Sequence, residues 1–181
     1  MNPNSKELTP ICYTRLVGEI TESLTRELLK EIDNANSNPN KKIIILTICS
    51  TGGLLYYSQA IYDAIKASKK PVVGIATGTC MSVAVMILQA THKRISRTNT
   101  RFMLHPSVHW RGDKTYIDEM NIISEKWNIM YKNFIARSLV KSTLTFEEFE
   151  KIAKPRKYLS ADEAFKLKLV DTISDEWVDS Y

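Results

Sequence analysis

Hydrophobic residues recur every three or four positions from residue 21 to about residue 35. This sets Leu24, Leu28, Leu29 and Ile32 on one face and predicts an amphipathic helix. The tract NSNPNKK breaks that spacing. IIILTIC (43–49) follows, too continuous and too β-branched for a surface strand, and it has the composition of a strand buried on both faces. STGG (50–53) then turns the chain, and LLYYSQAIYDAIKAS (54–68) resumes helical spacing through Ala60, Ile61, Ala64 and Ile65. KKP stops this helix, and VVGIATG (72–78) reads as a second buried strand. A strand, a crossover helix and a further strand form a βαβ unit with parallel pairing.

The alternation continues with a short helix from about Ser82, strand-like KRISRT (93–98) and RFMLH (101–105). A long helix comes next, in which Ile117, Met120, Ile123, Trp127, Met130 and Phe134 step by three or four. Two capping boxes mark later helix starts: Thr145 with Glu148, and Ser160 with Glu163. LVDTI (169–173) closes as a short strand. The class is α/β. No repeat or linker interrupts the 181 residues, so a single domain over 1–181 is expected, with residues 1–10 flexible ahead of the first strand.

Composition narrows the function classes. No apolar run approaches the ~18–20 residues of a membrane span, and MNPNSKELTP lacks a signal peptide's apolar segment. A soluble, unexported, cytoplasmic protein without a membrane partner is expected. The net charge of +5 is spread over pairs such as Lys41-Lys42, Lys69-Lys70 and Lys93-Arg94, with no basic stripe interleaved with aromatics, which argues against nucleic acid as a partner. Cys12, Cys49 and Cys80 are odd in number, widely spaced and set in apolar surroundings. They read as buried thiols, and no Cys/His spacing calls for a metal or other cofactor.

Three places combine backbone freedom with reactive side chains. In STGG, Gly52-Gly53 follows a buried strand and precedes a helix; it is a plain turn or a pair of backbone N–H donors aimed at an anion. Ser82 follows the second buried strand and is an N-cap or a nucleophile. His105 ends a strand just before a proline and is structural or a base. Singly, each bland reading is the stronger. Together, a nucleophile, a base and backbone donors are what acyl transfer requires, and ligands of parallel sheets collect beyond the carboxyl ends of the strands.

These same stretches resemble the ClpP family, the proteolytic subunits of the Clp protease. CSTGGLLYYSQAIYDAI is similar to the family's strand–SPGG–helix segment, and GTCMSVAV to its G-x-x-S-M-G/A segment. KRISRTNTRFMLHPS resembles its KR-x-x-L-P-N-S-R-x-M-I-H-Q-P run, and KYLSADEAFKLKLVD its F-L-S-A-x-E-A-x-x-Y-G-L-I-D ending. Four motifs occur in order across about residues 11–174. The resemblance implies a ClpP/crotonase-like spiral of βαβ units with a long handle helix. It implies a serine endopeptidase with Ser82 as nucleophile, His105 as general base, and the N–H groups of Gly53 and Val83 as oxyanion hole. It also implies a homo-oligomer, as a ring or stacked rings, acting on peptides or unfolded proteins, with an AAA+ unfoldase as partner.

The sequence departs from that pattern in three places. Where the family has the third triad residue, an aspartate two positions before the aromatic of F-L-S-A, this chain has Arg156, flanked by Pro155 and Lys157. Asp162 and Glu163 belong to the capping region, Asp171 matches the structural L-I-D, and Asp113 and Asp118 lie near the loop after His105. About ten residues precede the first strand, fewer than the family's pore-lining segment, which counts against unfoldase docking. The glycine-rich handle is replaced by PSVHWRGDK, whose His109 and Trp110 read as interface or substrate contacts. Arg156 keeps open a catalytically impaired structural subunit, and the shared fold keeps open a crotonase-type acyl-CoA enzyme.

Overall fold

The computed structural model describes residues 10–106, 117–176 and 178. An inner strand, β2 (Ile43–Gly53), contains the IIILTIC run, whose first four residues are all buried. Ile44, Leu46 and Ile48 enter the larger core, while Ile43 and Ile45 join Val73, Ile75 and Ile95 in a smaller cluster on the opposite face. A segment covered on both faces carries no polar alternation, which is why the start of this strand reads as a continuous apolar run. β2 pairs in parallel with β1 (Ile11–Ile20) on one side and β3 (Val72–Met81) on the other. β4 (Lys93–Ser96) and β7 (Thr172–Ile173) extend the sheet, again in parallel, in the order β1-β2-β3-β4-β7. β5 (Arg101–Leu104) and β6 (Lys157–Leu159) branch off β3. The class is the α/β expected, and no described helix is long and apolar enough to cross a membrane.

Crossover helices bury one face each. In α1 (Glu22–Ser37), capped by Thr21, the fully buried positions are Thr25, Leu28, Ile32 and Ala35, with Leu24 and Leu29 half-buried. In α2 (Leu55–Lys66) they are Ser58, Ile61, Tyr62 and Ile65, while Ala60 is exposed. The face is therefore rotated from the one expected through Ala60 and Ala64. Tyr62 turns inward because its ring meets Phe134 edge-on at 5.3 Å, and Ser58 is tolerated because its hydroxyl donates to the Leu55 carbonyl at 2.6 Å.

All eight residues of α3 (Val83–Ala90) are buried. Gly74 in β3 allows this. A Cβ there would fall 2.7 Å from Leu88 Cδ1 and 2.8 Å from Thr91 Oγ1, so only glycine lets the helix lie this close. Gln89, the one polar side chain in α3, donates to the carbonyls of Val85 and Leu169 and accepts from Arg94. Arg94, itself buried, donates to the Asp171 carboxylate and the Lys168 carbonyl, locking β4 to the chain entering β7. The long α4 (Ile117–Ser138) is followed by α5 (Phe146–Ala153) and α6 (Ala161–Lys166), both of which begin in the capping boxes read from Thr145 and Ser160.

Candidate active site

The site is built by an irregularity in β3. Ile48 of β2 pairs with Ala76, and Ser50 pairs with Cys80, so β3 advances four residues while β2 advances two. Gly78, at φ 61°, lies within this bulge. Before it, Val73–Ala76 pair with β4; after it, Thr79–Met81 pair with β5. The switch of partner brings the ends of β3 and β5 together, with Met81 opposite Met103 and the Ser82 N–H donating to the Met103 carbonyl at 2.8 Å. Ser82 and His105 thus leave adjacent parallel strands at their carboxyl ends.

Ser82 does not cap α3. Thr21, Thr145 and Ser160 all cap from extended backbone and accept a helix N–H, but Ser82 has φ 56° and ψ −130° and accepts none. That conformation belongs ordinarily to glycine and costs an L-residue of order 1–3 kcal/mol. Its Oγ instead lies 2.7 Å from His105 Nε2. His105 Nδ1 lies 2.6 Å from the carbonyl oxygen of Pro106. A carbonyl only accepts, so Nδ1 carries the ring proton, and in the neutral imidazole Nε2 accepts from the Ser82 hydroxyl. The His105 backbone is held by α4, whose Tyr131 hydroxyl donates to its carbonyl at 3.4 Å.

Among the described residues no carboxylate bonds the His105 ring. β6 runs antiparallel to β5 with Phe102, Met103 and Leu104 opposite Leu159, Tyr158 and Lys157. One further step of that register sets the exposed Arg156 opposite His105. Two of the carboxylates weighed from the sequence are engaged elsewhere, and Asp162 is exposed in the first turn of α6. Glu163 completes the capping box with Ser160, whose backbone N–H holds its carboxyl below the ordinary value. Burial would raise the Asp171 carboxyl, but hydrogen bonds from the Arg94 side chain and backbone outweigh it and hold the group low. His109, Trp110 and Asp113 lie outside the described residues, as does the N-terminal segment apart from Pro10, and of Asp118 only its place in α4 is described.

STGG is not a turn. It continues β2, with Glu19 and Ile20 of β1 opposite Gly52 and Gly53. The two glycines serve different neighbours. Gly52 is buried at φ 96°, and a Cβ there would lie 2.7 Å from Ser82 Cβ and 3.2 Å from Ser82 Oγ. At Gly53 a Cβ would lie 2.4 Å from the Ile20 carbonyl oxygen. The resemblance singles out Gly53 of the pair, while Gly52 is the one whose missing side chain leaves room for Ser82. Val83 is the first residue of α3, where a backbone N–H has no acceptor within its own helix. All three cysteines are free, but only Cys80 is fully buried, and burial followed by Cys49 pushes its thiol up; Cys12 and Cys49 are half-buried, because they sit on partly covered faces of β1 and β2.

The family model described as Clp protease matches residues 7–176. The chain is 30% identical over 158 residues to the ATP-dependent Clp protease proteolytic subunit 2 of Prochlorococcus marinus (strain MIT 9312), covering 86% of this chain and 77% of that one. It is 31% identical over 161 residues to the subunit 2 of Prochlorococcus marinus subsp. pastoris (strain CCMP1986 / NIES-2087 / MED4), covering 86% and 78%. To the proteolytic subunit 3 of Synechococcus sp. (strain CC9902) it is 30% identical over 162 residues, covering 87% and 80%. Likeness of this extent joins a parallel α/β sheet whose strand ends carry a hydrogen-bonded serine and histidine, an arrangement suited to serine-hydrolase chemistry. The chain belongs to the ClpP family of Clp protease proteolytic subunits.

Proposed function

We propose that this protein is a serine endopeptidase in which Ser82 attacks the scissile carbonyl while His105 Nε2 takes its proton. The 2.7 Å contact between those two atoms carries the reading. The proton held by His105 would pass to the leaving amine, and water activated by the same nitrogen would hydrolyse the acyl-enzyme. The N–H groups of Gly53 and Val83 would receive the developing oxyanion, an interaction worth about 3–4 kcal/mol per donor. No cofactor takes part. The strained Ser82 backbone supports the assignment, since such conformations gather at reacting residues.

The relatives are named as proteolytic subunits of ATP-dependent proteases, which supports a single-domain subunit of a ring or stacked rings, fed peptides or unfolded proteins by an ATP-driven unfoldase. One observation favours a second reading, a structural subunit of impaired activity: Arg156, next to the last β5–β6 pair of Leu104 with Lys157, occupies the position where the family carries a carboxylate. A cation there opposes the imidazolium formed during attack.

A fluorophosphonate or β-lactone probe with intact-mass readout separates the two. Labelling at Ser82 that disappears in Ser82→Ala is expected. Absence of labelling in every assembly state would overturn the peptidase reading in favour of the structural subunit.

A further inference from the structure

Proline follows His105 directly, and that adjacency brings a carbonyl to the imidazole. The pyrrolidine ring holds Pro106 φ near −65°, and it confines the preceding residue to extended backbone. His105 directly follows β5, so few rotations remain to place the Pro106 carbonyl relative to the His105 ring. The oxygen rests 2.6 Å from Nδ1. Met103 is held between β3 and β6, Leu104 pairs with Lys157 of β6, and Tyr131 bonds the His105 carbonyl, so the residue is braced on both sides of its Cα.

A triad carboxylate does two things for its histidine. It fixes the ring's tautomer and orientation, and its charge stabilises the imidazolium that forms. The geometry points to the Pro106 backbone carbonyl as the group that performs the first of these for His105 and not the second. Pro106 is thus a positioning residue, and the inference rests on the proposed roles of Ser82 and His105. A neutral acceptor leaves the imidazolium less favoured than a carboxylate would, so turnover is slow while substrate binding is untouched. Arg156, exposed and one residue beyond the last β5–β6 pair, reinforces the difference.

The test is nitrogen NMR on the intact protein labelled in its three histidines, with His105 identified by the signals lost in His105→Gln. A protonated Nδ1 and an unprotonated Nε2 are expected in the neutral ring. Protonation at Nε2, or an equal mixture, overturns the inference. Pro106→Gly keeps the carbonyl but releases its torsion. It should lower kcat by about tenfold to a hundredfold, the scale of sub-ångström misplacement, with KM unchanged. Adding Arg156→Asp to that variant should recover kcat and move the acid limb of the pH profile upward, because the introduced carboxylate takes over orientation and adds charge. Wild-type kcat in Pro106→Gly, or failure of rescue, would refute a positioning role. Failure of Ser82 to label would instead overturn the peptidase reading, and the tautomer would still decide the Pro106 claim.

Discussion

Gly52→Ala tests how closely β2 supports Ser82. Its Cβ would lie 2.7 Å from Ser82 Cβ and 3.0 Å from the Met81 carbonyl, neither of which is the loose end of a flexible chain. Restoring an ordinary carbon–carbon contact of ~3.5 Å requires the two elements to part by roughly 0.8 Å, enough to stretch the 2.7 Å Ser82–His105 hydrogen bond to as much as ~3.5 Å and weaken it. Two costs then add. Holding an L-residue at φ 96° costs about 1–2 kcal/mol, and overpacking a filled site about 1–3 kcal/mol more. Gly18 supplies the control, because it has the same φ of 96° with nothing within 4 Å of the added carbon. Gly18→Ala carries the backbone cost alone, and at ~2–4 °C per kcal/mol should lower Tm by about 2–8 °C with kcat/KM unchanged. Gly52→Ala should lower Tm by about 4–20 °C and kcat/KM by about a hundredfold. Differential scanning calorimetry and a fluorogenic peptide assay read both variants. Equal Tm shifts with full activity in Gly52→Ala would refute the reasoning.

Arg156→Asp alone should raise kcat by about tenfold, well short of the ~10⁴ lost when a triad carboxylate is removed, because the Pro106 carbonyl already orients His105. A fall would mean that Arg156 itself serves the site. Asp171→Asn strips the buried Arg94 of its counter-charge and should cost about 3 kcal/mol, measured by urea denaturation. The folded Asp171 carboxyl is held below its unfolded value, so its contribution is present above pH ~4 and lost as pH falls through the folded value; Asp171→Asn should flatten that acid limb. Burial, then Lys141 and Lys66, lower the pKa of His92. Its neutral ring stabilises the fold above pH ~6.5, a contribution lost as pH falls through the depressed folded value. The urea midpoint of His92→Gln should fall less steeply below pH 6.5 than that of the wild type, and an identical slope would count against the assignment.

Periodicity and capping chemistry made much of this fold legible. β2 and β3 announced themselves by runs rich in Ile and Val, and α5 and α6 by side chains that reach only three residues. The features that escaped depend on partners remote in sequence. STGG continues as a strand because β1, more than thirty residues earlier, pairs with Gly52 and Gly53 after a shift of register. Tyr62 faces inward because Phe134 waits for it, and three-residue β6 takes its meaning from β5. Within the site, Ser82 and His105 could be paired from motif order, but Gly52 and the Pro106 carbonyl could not. One acts through a missing side chain and the other through a backbone atom, and neither leaves a side-chain signature.

The complete burial of α3 sets the terms on which the site can be lost. A helix with no solvent-facing residue cannot fray on its own, so its amides should exchange with deuterium only through the slowest, whole-molecule opening. Ser82 and the Val83 amide begin that helix, and their alignment therefore belongs to the most protected cooperative unit. His105 sits where the chain leaves a four-residue strand, with half-buried surroundings. Heat or denaturant should release the histidine first, leaving an intact serine elbow without its base, so that activity fades before the fold does.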